Sequence, residues 1–137
     1  MRREANIMRK HIDVEVFDKV IAIDFDGTIA DTEYPKIGKL RPNAVEVINE
    51  LYEDGYGIVI NTCREGLALA ACIEFLDKVG LKRHFINSNF PFLIDLYEAD
   101  CRKISADMYI DDKCLYDLPS WDVIYSMVWN KIPIKYL

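Results

Sequence analysis

The chain has 137 residues, of which 51% are apolar and 29% charged. That length suits one domain of ordinary size, and the composition excludes a disordered segment and any need for a disulfide or metal staple. Seventeen Lys and Arg against 23 Asp and Glu leave a net charge of −6, which excludes the basic field of a general nucleic-acid or anionic-membrane binder.

No stretch approaches the ~20 apolar residues of a membrane span. Residues 1–19, MRREANIMRKHIDVEVFDK, are charged throughout and have no apolar core of a secretory signal. Residues 1–18 are therefore expected to be a helical extension with a solvated charged face, and the whole of 1–137 a single domain. Cys63, Cys72, Cys101 and Cys114 form no C-x-x-C pair and have no histidine nearby. They read as small reduced thiols of a cytoplasmic protein, with Cys63 packed inward.

In chain order, residues 20–25, VIAIDF, form a short apolar run rich in β-branched residues, the pattern of a strand covered on both faces. Residues 42–54 place Val45, Ile48, Leu51 and Tyr52 on one helical face, with Pro42 at the start and Gly55 at the stop. Residues 57–62, GIVINT, are a second buried strand. Residues 65–79, EGLALAACIEFLDKV, are a second helix ended by Gly80. Residues 84–87 and 107–111 read as third and fourth strands, with His84 a satisfied structural imidazole. Residues 120–129 fit a helix capped by Ser120, although a strand also satisfies the pattern, and IPIKYL reads as an extended tail. Alternating strands and helices predict an α/β, three-layer sandwich around a doubly wound, mainly parallel sheet. Ligands of such sheets bind beyond the carboxyl ends of the strands, where strand order reverses.

Those ends are acidic or polar. The first strand runs into Asp24-Phe25-Asp26-Gly27-Thr28, the second into Asn61-Thr62-Cys63-Arg64, and the fourth into Asp111-Asp112-Lys113. Gathering the four carboxylates at one sheet edge is costly without a cation, and a hard divalent ion with oxygen ligands resolves it. In an extended chain residues two apart share a side, so Asp24 and Asp26 can both face one substrate while Phe25 turns into the core. Gly27 permits a tight exit.

These segments resemble the haloacid dehalogenase-like hydrolase superfamily from Val20 to Asp112. Its first motif, D-x-D-G-T after an apolar strand, matches residues 24–28. The second, an apolar strand ending in Thr or Ser, matches residues 58–62. The third, a lone cation upstream of the fourth strand, fits Lys103, with Arg102 as the alternative. The fourth, a strand ending in paired acids, matches residues 109–112. The resemblance implies a Mg²⁺-dependent phosphatase acting on a phosphomonoester, or a nucleotidase, phosphotransferase or silent phospho-ligand binder on the same site. It implies that Asp24 is the nucleophile and Asp26 the general acid and base. It also implies that Asp24, the main-chain carbonyl of Asp26, and Asp111 hold the ion, with Asp112 either a ligand or a hydrogen-bonding neighbour of one. Thr62 and Lys103 would bind the phosphoryl oxygens. Thr62 is otherwise an N-cap paired with Glu65, and Arg64 is either a substrate contact or a solvated arginine at a helix start.

Many members of this superfamily carry an inserted cap domain. Residues 29–41 leave room only for a flap, and residues 88–102 only for a loop or one helix, so a capless member is expected. An open site implies a large phosphorylated substrate or a second copy of the chain covering it, with no nucleic-acid or membrane partner. Tyr34, Pro35, Phe90, Pro91 and Phe92 are candidates to line the entrance or to pack the loops.

Overall fold

A computed structural model describes residues 15–135. The helix expected over 1–18 lies largely outside these residues, and the described part, Glu15–Asp18, is not helical. Four apolar residues, Val20–Ile23, form β1, and every one of them is buried. β2 (Ala30–Glu33) and β3 (Lys36–Leu40) form an antiparallel hairpin. Helix α1 (Ala44–Asp54) buries Ala44, Val47, Ile48 and Leu51 and stops at Gly55, whose φ of 108° suits glycine. The buried strand β4 (Gly57–Ile60) leads to α2 (Gly66–Val79), the short β5 (Phe85–Ile86) and α3 (Pro91–Tyr97). β6 (Met108–Ile110) and α4 (Trp121–Lys131) complete the order. The Ser120 side chain caps α4 by accepting from the Val123 amide at 3.4 Å, so residues 120–129 resolve as a helix and not a strand. The described part of the tail, through Lys135, is not a strand, and its Ile132 and Ile134 are buried.

The main sheet has the order β5-β4-β1-β6, and each neighbouring pair is parallel. Ile21 pairs with Ile58 on one side and with Met108 on the other. Alternation along the strands divides the core in two. Ile21, Ile23, Ile58 and Ile60 face α1, α2 and α4 through Leu51, Leu76, Trp121 and Val128. Val20, Ala22 and Val59 face the opposite way, onto Phe90, Phe92 and Ile104. Each fully buried aliphatic or aromatic side chain contributes roughly 1.5–3 kcal/mol. The result is a three-layer α/β sandwich. Among the described residues no cap domain interrupts it, only the β2–β3 hairpin and α3.

The connections position the site. From β1 the chain steps through α1 to β4 and through α2 to β5, then returns by α3 to β6 on the other side of β1. Strand order therefore reverses between β1 and β6, and a ligand crevice is expected beyond their carboxyl ends.

Candidate active site

β1 ends at Ile23, and the Asp24 amide donates to the Ile110 carbonyl at 2.9 Å. That bond holds the first acid of the D-x-D segment beside the strand that delivers Asp111 and Asp112. The chain then turns back: the amides of Thr28 and Ile29 donate to the Phe25 carbonyl at 3.2 and 3.0 Å. Gly27 adopts φ +82°, and a Cβ on it would stand 2.2 Å from Asp112 Oδ2. Only glycine lets the two acidic loops approach this closely. The indole of Trp121 fixes the same turn from α4, donating to the Thr28 carbonyl at 3.0 Å.

Carboxylate oxygens of Asp24, Asp111 and Asp112 lie within 4.8 Å of one another, all three residues being half-buried. Thr28 bridges two of them. Its buried hydroxyl donates to Asp24 Oδ2 at 3.0 Å and accepts from the Asp112 amide at 2.9 Å. Burial, then the charge of Asp111 and the contact with Asp112, push the Asp24 carboxyl up to about 7, while the Thr28 hydroxyl pulls it down. An all-oxygen, anionic donor set that strains its own ionisation fits a hard divalent cation.

The fourth acid is oriented differently. Asp26 accepts from Arg64 Nε at 2.9 Å, from Arg64 Nη2 at 2.7 Å and from the Thr32 hydroxyl at 2.8 Å. Partial burial raises its carboxyl, but the hydrogen bonds from Arg64 and Thr32 and the charge of Arg64 outweigh this and hold it below the ordinary carboxylate value. So three carboxylates converge, not four, and the Asp26 carboxylate is turned to Arg64 and Thr32 instead. Arg64 itself is not solvated. It is 1% exposed, and Nη1 donates to the carbonyls of Pro35 and Ala68 at 3.0 and 3.1 Å. Its guanidinium lies 5.3 Å from the Phe25 ring centre and 5.0 Å from that of Tyr34.

Thr62 is buried and does not cap α2, whose N-cap is Glu65. Its hydroxyl accepts from the Arg64 amide at 3.1 Å, and its own amide donates to Asn87 Oδ1 at 2.8 Å. Lys103 is exposed and lays its ammonium 4.9 Å from the centre of the Tyr109 ring, two residues before Asp111. Arg102 is also exposed. Of the expected entrance residues, Tyr34, Pro35 and Pro91 are exposed, whereas Phe90 and Phe92 belong to the core. Phe90 comes within reach of Gly57, the first residue of β4 and thus the end of the sheet opposite the carboxylates. Cys63, expected inside, is exposed because the loop after β4 turns Thr62 and Arg64 inward instead. His84 is structural: Nδ1 accepts from the Ile58 amide at 3.0 Å, the ring stacks on Tyr52 at 4.5 Å, and burial lowers its pKa.

Thr28, Thr32 and Asn87 were not legible as site residues. Thr28 closes the D-x-D-G-T segment, and a polar residue ahead of the apolar pair Ile29-Ala30 was a signal. Nothing local marked Thr32 or Asn87, whose partners lie 6 and 25 residues away.

The chain matches the haloacid dehalogenase-like hydrolase family over residues 21–112 and belongs to it. The motifs of that family coincide with the acidic cluster. Over 131 residues it is 29% identical to the pyridoxal phosphate phosphatase YbhA of Escherichia coli (strain K12), an overlap covering 81% of this chain and 46% of that protein. The chain thus spans about half the length of that curated relative. A solved structure of a conserved protein from Bacteroides thetaiotaomicron superposes with a TM-score of 0.74 at 35% identity, covering 82% of this chain and 91% of that one.

Proposed function

We propose that this chain is a Mg²⁺-dependent phosphatase that hydrolyses a phosphomonoester through an aspartyl-phosphate on Asp24. The observation that carries the reading is the trio Asp24, Asp111 and Asp112, gathered within 4.8 Å at the strand-order reversal, beside an Asp26 that is held apart from it. The carboxylates of Asp24 and Asp111, the main-chain carbonyl of Asp26 and, as a further ligand or neighbour, Asp112 would hold the ion. When bound, the ion would offset their charge and that of the phosphoryl oxygens.

An Asp24 oxygen attacks phosphorus as the ester P–O bond breaks, and Asp26 supplies a proton to the departing oxygen. Asp26, now a carboxylate, takes a proton from water as that water attacks phosphorus. Inorganic phosphate leaves and Asp24 is regenerated. Arg64 favours the ionised Asp26, the form that activates water, so the first step draws on the minority protonated form. The Thr62 hydroxyl accepts from a backbone amide, which leaves its own hydrogen to donate to a phosphoryl oxygen. Lys103 would leave the Tyr109 ring to neutralise the phosphoryl group. Catalysis of this kind is mostly positioning and electrostatics.

The test is phosphate release from p-nitrophenyl phosphate, glycerol phosphate and pyridoxal 5′-phosphate, the last chosen from the name of the Escherichia coli relative. Release is expected with Mg²⁺, absent with chelator, and absent in a folded Asp24→Asn protein. Asp26→Asn keeps Mg²⁺ affinity and slows turnover, whereas Asp111→Asn weakens the ion. No release from any ester by folded protein, or full turnover by Asp24→Asn, refutes the reading.

A further inference from the structure

We infer that Arg64 is a positioning residue whose guanidinium clamps Asp26 and the turn of the β2–β3 hairpin into one unit, fixing Asp26 where it meets the leaving oxygen. The inference rests on the phosphatase reading and extends it to a residue outside the carboxylate trio and outside phosphate contact.

The clamp is fully engaged. The Arg64 side chain is 0% exposed and the Asp26 side chain 27% exposed, so the pair is closed on the arginine side and open only at the carboxylate. One edge of the guanidinium forks onto Asp26 through Nε and Nη2 at 2.9 and 2.7 Å. The Nη1 corner donates to the carbonyl of Pro35, in the hairpin turn, and to that of Ala68, in the first turn of α2. The rings of Phe25 and Tyr34 flank the plane. Thr32 on β2 ties the same carboxylate from the hairpin side at 2.8 Å. A planar fork fixes a carboxylate's direction as well as its place, which a single ammonium does not.

A buried ion pair is weak evidence of stabilisation, because well-packed apolar residues of similar volume commonly serve as well or better. The benefit of this pair therefore lies in geometry, and a misplacement of about 1 Å of a group that moves a proton costs on the order of 100-fold in rate. The residue that aims the proton donor is also the one that holds the hairpin down.

The experiment compares Arg64→Met with the parent on two esters, one whose leaving oxygen needs a proton (glycerol phosphate) and one whose leaving group departs without help (p-nitrophenyl phosphate). Loss of aim should lower kcat on the first ~100-fold and on the second less than ~5-fold, with KM and Mg²⁺ affinity within ~2-fold of the parent. Hydrogen exchange of hairpin amides 30–40 should accelerate at least ~10-fold while β1 and β4 keep their protection. Arg64→Lys, which keeps the charge and loses the fork, should fall between. Should Arg64→Met not fold, Arg64→Lys and Thr32→Val carry the same comparison. Equal losses on both esters, or unchanged hairpin exchange, overturn the clamp. A parent protein inert towards both esters overturns the phosphatase reading instead. The exchange data then decide the clamp alone: faster hairpin exchange supports it and unchanged exchange refutes it.

Discussion

Replacing Thr28 with valine removes one hydroxyl and leaves the side-chain shape nearly unchanged. Thr28 is fully buried, and its hydroxyl joins the Asp24 carboxylate to the Asp112 amide through bonds of 3.0 and 2.9 Å. The variant forfeits a hydrogen bond to an ionisable carboxyl, about 1.5–3 kcal/mol, and strands an amide whose desolvation costs about 1–3 kcal/mol. Asp24 and Asp112 are only half-buried, so water recovers part of both losses and the net cost is ~2 kcal/mol. For a chain of 137 residues the unfolding entropy is about 0.3 kcal/mol/K, so Tm falls by ~7 °C. Thr28→Ser keeps the hydroxyl and loses only a buried methyl, ~1 kcal/mol. Because the same hydroxyl orients two members of the carboxylate trio, Val and not Ser should weaken divalent-cation binding ~10-fold or more. Calorimetric unfolding and titration with Mg²⁺ at pH 7.5 measure both effects. A valine variant within ~0.5 kcal/mol of the parent and of equal metal affinity would refute the bridging role, as would identical behaviour of Val and Ser.

Asp24, raised to about 7 by burial and by Asp111 and Asp112, holds its proton in the folded state after the unfolded chain has lost it. Its favourable contribution is complete below pH ~4 and is lost as pH rises to ~7, a fall of ~1–2 kcal/mol after allowance for solvent screening. Metal-free Asp24→Asn should show a flatter Tm-against-pH curve between those limits, and Mg²⁺ should raise the Tm of the parent more at pH 8 than at pH 5. Superimposable curves for parent and variant would contradict this. Phe90 sits in the core, 1% exposed and edge-on to Phe85 with ring centres 5.0 Å apart, so Phe90→Ala should cost ~3–5 kcal/mol. Phe90→Leu, which keeps the fold, should leave KM unchanged; a selective rise in KM would return Phe90 to the entrance.

Local chemistry made the framework legible. Apolar runs with β-branched residues marked β1, β4 and β6, and Gly55, Gly80 and Ser120 marked helix ends, because capping and strand burial depend on residues close in sequence. The strands themselves are shorter than the runs. β1 stops at Ile23 and not Phe25, since Phe25 spends its carbonyl on the turn through Thr28 and Ile29. The hairpin at 30–40 was legible only as a flap, because ADTE and KIGKL carry little apolar alternation and are half-exposed.

By itself the sequence determined that Asp24, Asp111 and Asp112 end strands of one parallel sheet, since chirality and alternation put parallel strand ends on one edge. Only the tertiary structure decided that Asp26 turns from that trio to Arg64, 38 residues on, that Thr28 bridges two of the acids, and that Phe90 lies at the opposite end of the sheet. A side chain's partner is chosen by what the strand order β5-β4-β1-β6 brings within about 3 Å of its polar atoms, and no local pattern of residues encodes that distance.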